Sequence, residues 1–250
     1  MKRILIGSIL PTLFIAIWEA SRRTGILTLE SLSQPSDILR AGMAGLADGS
    51  ILVATGQTFE TALFGLAVAA FAGIIAGAVL GLSPVLERVV DPTIEALRPI
   101  PAVAFIPLAL MMFGFGVSME ATIVAYACVW PILIVTISAV KAIEPRLLEV
   151  ADTLEMNFVE QLRKIILPAA FVRINVGLRV ATGIALVVAV TVEIVLNPRG
   201  LGYSLMLAQQ SLRVDIMYAQ LLWLCIIGYV LNALLRNIGP ASIVLSRAGR

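Results

Sequence analysis

Residues 55–82 read TGQTFETALFGLAVAAFAGIIAGAVLGL. About 20 mostly apolar residues suffice for a helix to cross the hydrocarbon core of a bilayer. This stretch is long enough, so it predicts a membrane-spanning helix. Small residues recur along it at every fourth position, at Gly65, Ala69, Gly73, Gly77 and Gly81. Such a ridge lets two helix backbones approach closely, where dispersion and weak contacts replace the missing hydrophobic drive. It has two readings: ordinary packing within one subunit, or the lining of a subunit interface or translocation path.

Working outward, the same character continues. The chain is 60% hydrophobic and 14% charged over 250 residues, with a mean hydropathy of +1.00. A soluble domain averages roughly 45–50% apolar and about 25% charged. A soluble fold of this length could not hide so much apolar surface, so lipid must solvate part of it. Six spans are predicted, over Ile4–Ala20, Thr55–Leu82, Ile100–Phe115, Ala121–Val140, Ala169–Leu196 and Tyr218–Ile238. The third is short and carries Pro101 and Pro107. The fifth repeats the small-residue ridge at Gly177, Ala181, Ala185 and Ala189. No loop is long enough for a separate soluble domain. The fold class is therefore an all-α integral membrane protein of about six transmembrane helices.

The N-terminal run could pass for a signal peptide. It ends in Trp18-Glu19-Ala20-Ser21-Arg22-Arg23, a poor small-residue cleavage site, and reads as a retained first span. With Lys2 and Arg3 cytoplasmic, twelve basic residues fall on cytoplasmic segments and five on outer ones, leaving aside Arg179 within a span. That asymmetry places both termini in the cytoplasm.

Several chemistries lose their residues. The chain has no histidine, the commonest general base and metal ligand. Cys128 and Cys225 each lie alone in an apolar run and read as small buried hydrophobes. Nothing matches the phosphate-cradling G-x-x-x-x-G-K-[ST] loop, a serine elbow, a His-Glu-x-x-His helix or a paired-cysteine site. No catalytic or metal-ligating residue is predicted, and ATP hydrolysis would have to reside on another chain.

The longest cytoplasmic loop, residues 141–168, reads KAIEPRLLEVADTLEMNFVEQLRKIILP. Apolar residues recur near helical spacing at Leu147, Leu148, Ala151, Leu154, Phe158, Leu162 and Ile165. The opposite face carries Glu149, Asp152, Glu160, Arg163 and Lys164. This predicts a short amphipathic helical unit outside the membrane, interrupted by Pro168 before the fifth span. A helix that lies on lipid is usually rich in Lys and Arg on its polar face. Here acids equal or outnumber bases, which favours a groove on a protein partner. Leu154 and Phe158, four apart, would share one face as apolar anchors.

At this point the loop resembles the defining motif of binding-protein-dependent permeases of ATP-binding-cassette importers. That motif opens Glu-Ala-Ala, has glycine six residues after the Glu, and closes Ile-x-Leu-Pro. Glu149 and Ala151 match the start, and Ile165, Leu167 and Pro168 match the end. Val150 stands at the central alanine and Glu155 at the glycine. Glycine permits a tight turn or close approach that a longer side chain obstructs. Gln34-Pro35-Ser36, Gly81-Leu82-Ser83-Pro84, the run Arg98–Leu108 and Gly200-Leu201-Gly202-Tyr203 are similar to the taurine, aliphatic-sulfonate and nitrate branch.

The resemblance implies a type I importer fold and divides the chain into three. Residues 1–33 are an N-terminal span and outer linker, 34–240 the permease core with its coupling loop at 141–168, and 241–250 a cytoplasmic tail. It implies a second permease copy as dimer partner, the same chain or a related one. It also implies two ATP-binding subunits and an external solute-binding protein. No cofactor is expected in this chain, ATP and magnesium binding on the partner ATPase. The loop would be the coupling helix that docks there, through Glu149, Ala151, Leu154, Glu155, Phe158, Ile165, Leu167 and Pro168. The cargo would be a small organic or inorganic anion such as a sulfonate or nitrate, carried across the bacterial inner membrane.

Two charges lie at membrane depth, Arg179 and Glu193, and such groups are functional candidates by default. They are fourteen residues apart, about 21 Å along a helix, too far to pair within one span. Each has a structural reading and a reading as part of the translocation path. Two rival classes stand beside the importer. A secondary transporter needs repeated halves with broken midplane helices, and no segment matches Pro101 and Pro107 in the other half. A non-transporting membrane scaffold is the other.

Overall fold

The computed structural model describes residues 2–25, 29, 31–144, 146–147, 149 and 153–238, apart from the side chains of 2–9, 11, 158–159, 162 and 236–238. The expected tail 241–250 and loop residues Val150, Ala151 and Asp152 lie outside the described residues. The chain runs through helices α1 (Lys2–Arg23), α2 (Pro35–Ala47), α3 (Ser50–Leu82), α4 (Pro84–Leu97) and α5 (Ile106–Phe113). It continues through α6 (Val117–Lys141), α7 (Phe158–Gln161), α8 (Leu167–Val195), α9 (Gly200–Gln210) and α10 (Val214–Ile238). Among the described residues, four helical stretches are long and apolar enough to cross a membrane: Ser50–Leu82, Val117–Lys141, Arg163–Val195 and Val214–Leu235. Helix α1 forms over the first expected span.

The third expected span is not one straight helix. Helix α4 and the stretch Ala102–Phe113 meet at an angle of 84° and give a fifth crossing only if taken together. Pro99 and Pro101 lie in the break, and neither offers an amide hydrogen to continue a helical ladder. Pro101 is extended, with φ −60° and ψ 125°. A 3-10 turn over Ala102–Phe105 follows, and α5 has only 8 residues. At 1.5 Å per residue α5 spans about 12 Å, less than half of the hydrocarbon core. Gly114, at φ +68°, ends it.

The glycine ridge of α3 faces α6. A methyl group at Gly65 would stand 2.7 Å from the Ala121 carbonyl oxygen and from Val124. At Gly77 it would stand 2.6 Å from Thr136 Cβ, and at Gly81 2.8 Å from Val140 Cβ. Gly73 meets Ile132 in the same way, so the ridge is a packing surface within the chain. The fifth-span ridge does likewise. Gly177 faces Val135, while Ala181, Ala185 and Ala189 join Ala62, Ala69, Val124, Cys128 and Ile132 in the central core. Small residues on both α3 and α8 thus let these two long helices close on α6. Large apolar side chains remain exposed on these and neighbouring helices, among them Phe71, Val187 and Tyr229. Acyl chains would solvate them.

Candidate functional site

One end of the bundle gathers the C-terminal ends of α3 and α6, the start of α8 and the loop between α6 and α8. Lys141 pairs with Glu87 of α4 there. The loop backbone is helical at Arg146, Leu147, Glu149 and Thr153, and the Thr153 hydroxyl donates to the Glu149 carbonyl at 2.8 Å. The chain then turns at Leu154 and Glu155, so the loop is two helical pieces and not one continuous unit. Leu154 therefore does not stand one helical turn from Phe158. Leu154 is 60% exposed, Leu147, Glu149 and Glu155 are exposed, and the Phe158 side chain lies outside the described residues.

Glu155 makes that turn with φ +51°. A left-handed backbone costs roughly 1–2 kcal/mol per residue for side chains with a Cβ, and glycine escapes the cost. The position where the motif has glycine thus carries a left-handed backbone here, with glutamate in it. Asn157 restarts the helix by a reciprocal cap. Its side-chain oxygen accepts from the Glu160 amide at 2.9 Å, and Glu160 accepts from the Asn157 amide at 3.3 Å. Lys164 donates to Glu160 at 2.9 Å. The Lys164 hydrogen bond, with help from the Asn157 amide, holds the Glu160 carboxyl below the usual range.

The loop leaves without interruption. Helix α7 passes through a π turn over Leu162–Ile166 straight into α8. Pro168 sits at the first turn of α8, so it does not break the chain before the span as expected. Proline withholds the amide that the Lys164 carbonyl would accept four residues back. The π turn provides the wider local winding that accommodates it. Ile166 is fully buried among Ala78, Ala139, Val140, Ile143, Ala170 and Ile174. Leu167 packs against the same cluster, Ile165 is half-buried and Pro168 is exposed. The motif's variable position is therefore the deepest anchor. The apolar run 165–167 signalled it without saying which residue points inward.

The opposite end of the bundle holds a buried polar network centred on Glu193. Glu193 and Glu120 are each 1% exposed. The Thr58 hydroxyl donates to Glu193 Oε2 at 3.0 Å and the Gly202 amide donates to the same oxygen at 2.8 Å. The Leu201 amide donates to Thr58 at 3.0 Å, and the Gly200 amide to Gln57 at 2.9 Å. Asn197 donates to Glu120 at 2.5 Å. The first three amides of α9 are thus all satisfied by side chains of α3 and α8. Gly200 has φ +85°, and a Cβ there would stand 2.0 Å from Glu193 Oε1. A Cβ at Gly202 would stand 2.3 Å from the Val190 carbonyl oxygen. The Gly-Leu-Gly sequence exists because α9 starts against a carboxylate and a backbone. Sequence reasoning found Glu193 but missed Glu120, Thr58 and Asn197, whose polar character only long-range packing brings together. Arg179 is half-buried on α8, well removed from this network along the helix.

Residues 69–243 match the family of binding-protein-dependent transport system inner membrane components. The chain belongs to that family. SsuC of Bacillus subtilis, named as an aliphatic sulfonates transport permease protein, is 28% identical over 230 residues, 92% of this chain and 83% of its own. The taurine transport system permease protein TauC of Escherichia coli is 27% identical over 227 residues, 89% of this chain and 82% of its own. The fold is that of an amino acid ABC transporter crystallised with histidines, at a TM-score of 0.60 and 16% identity. That match covers 78% of this chain and 94% of the other. The matched region contains the loop, Glu120, Glu193 and Asn197, while Gln57 and Thr58 precede it.

Proposed function

We propose that this chain is the translocation subunit of an ATP-driven importer for a small anion of the sulfonate, taurine or nitrate class. The reading rests on one observation above others. An exposed turn at Leu154 and Glu155 leads through the Asn157 cap into helix that runs unbroken from Phe158 into the 33-residue stretch Arg163–Val195, with Ile166 fixed in the core. In this reading a push on that turn passes through the capped helix start at Asn157 into a transmembrane helix.

In this reading the segment Glu149–Gln161 docks on a separate ATP-binding subunit, with Leu154 as an apolar anchor. Ala151 and Phe158 belong to the same docking segment, and Glu155 faces a small or basic residue of the partner. Ile165, Leu167 and Pro168 carry the motion into α8. Two such ATP-binding subunits, holding ATP and magnesium, serve two permease copies. An external solute-binding protein delivers the anion and sets most of the specificity. Both termini and the docking turn face the cytoplasm, and Gly200 faces outward. Arg179, the basic residue set deepest inside a predicted span, is the candidate for a contact along the path. Glu193 serves structure, holding α9 against α3.

The test is co-purification. Leu154→Arg places a charge in a contact that docking would desolvate, at a cost of several kcal/mol. The variant should lose the ATP-binding subunit on affinity purification while remaining monodisperse in detergent. Retention equal to wild type would overturn the docking model.

A further inference from the structure

Beside the Glu193 network, α1, α2, α9 and α10 enclose a cleft of about 830 Å³ that the transport reading leaves unused. Its wall is polar and carries both signs of charge, including Arg213 and Asp215. Neither of these two makes an ion pair among the described residues, although Asp37 and Arg40 on the same wall pair with each other at 3.3 Å. Gln220 also lines the cleft, is 5% exposed, and leaves its side-chain oxygen without a hydrogen-bond donor. A buried acceptor left open costs free energy unless something donates to it.

A second, apolar groove of about 330 Å³ runs along α1, lined by Phe14, Ile17, Trp18, Ser21 and Leu32. Leu32 lines both spaces. Trp18 lines the groove edge-on to Tyr218 of α10, and its indole N–H is buried and unpartnered. Tryptophan at a membrane boundary commonly places its ring in the apolar layer and its N–H at headgroup level.

We propose that the two spaces together bind one phospholipid with a primary-ammonium zwitterionic headgroup. Its phosphate sits by Arg213, and its ammonium donates to Asp215 and to the open oxygen of Gln220. The Trp18 N–H meets the phosphate or an ester oxygen, and an acyl chain lies along Phe14 and Ile17. The opposed charges decide the headgroup class. An anionic glycerol headgroup leaves Asp215 facing a negative charge, and a trimethylammonium group cannot donate to Gln220. The apolar groove decides for a lipid over a soluble phosphate compound.

Native mass spectrometry of the full-length protein tests this, after delipidation and titration with dioleoyl phosphatidylethanolamine, phosphatidylcholine, phosphatidylglycerol or soluble phosphoethanolamine. We expect one phosphatidylethanolamine per chain, held about tenfold more tightly than the other lipids, as a charge-assisted hydrogen bond allows. Asp215→Asn should erase that preference, Arg213→Gln should weaken all three lipids alike, and Trp18→Phe should weaken retention, with thermal midpoints unchanged. Equal retention of all three lipids would overturn the site. So would a preference surviving Asp215→Asn, or phosphoethanolamine binding as tightly as the lipid. The assay involves neither ATP nor solute, so its outcome is independent of the transport reading.

Discussion

Replacing Glu193 by alanine tests what holds the far end of the bundle. The side chain is 1% exposed and accepts from the Thr58 hydroxyl at 3.0 Å and the Gly202 amide at 2.8 Å. Alanine removes both bonds and leaves the Gly202 amide buried without an acceptor. The Thr58 hydroxyl keeps the Ala54 carbonyl, 3.2 Å away, as an acceptor, and one stranded amide costs about 1–3 kcal/mol, so the loss should be about 1–3 kcal/mol. Glutamine keeps a carbonyl oxygen in the same place, and its loss should stay below about 1 kcal/mol by the same reasoning. At roughly 2–4 °C per kcal/mol for a domain of this size, alanine should lower the thermal midpoint by about 2–12 °C. Fluorescence-detected size exclusion after graded heating in detergent reads this directly. An alanine variant as stable as wild type would refute the reasoning. Equal, large losses for alanine and glutamine would refute it differently, by making the charge and not the acceptor the stabilising feature.

Other consequences follow from single positions. Gly77→Val would bring a branched side chain against Thr136 Cβ, which even an added Cβ would approach to 2.6 Å. Overpacking of this kind costs about 1–3 kcal/mol or more, so the variant should show a lower thermal midpoint, whereas valine at the unconfined Gly183 should not. Glu155→Gly should stabilise the docking turn by about 1 kcal/mol, since φ is +51° there. Slower amide exchange over residues 153–157 would register the gain, and unchanged exchange would count against the strain argument.

The long helices were legible because bilayer thickness imposes a minimum apolar length that residues 55–82 satisfy on their own. Helix ends were not. Helix α3 starts at Ser50 and α10 at Val214, each a few residues before the apolar run that marks the span. Backbone hydrogen bonding does not stop where the hydrocarbon does. The ridge at Gly65–Gly81 was visible as a pattern, but which surface it met depended on α6, and the structure decides for packing within the chain. The prolines at 101 and 107 marked an irregularity without giving its 84° angle. In the loop, the helical spacing of Leu154 and Phe158 misled. Periodicity cannot register a left-handed residue that is not glycine, so the turn at Glu155 was invisible. The Asn157–Glu160 cap, by contrast, follows a pattern that the sequence spells out three residues apart. Glu120 and Asn197 lie 77 residues apart and meet only because α6 and α8 pack side by side.

The central claim is that the turn at Leu154–Glu155 couples ATP hydrolysis on a partner to movement of α8. ATP turnover in proteoliposomes, with the ATP-binding subunit inside and the solute-binding protein outside, tests it most directly. The account predicts that solute-loaded binding protein raises turnover several-fold with the wild-type chain and not with Leu154→Arg, and that solute accumulates only when ATP is present. Accumulation without ATP, or full stimulation in Leu154→Arg, would contradict it.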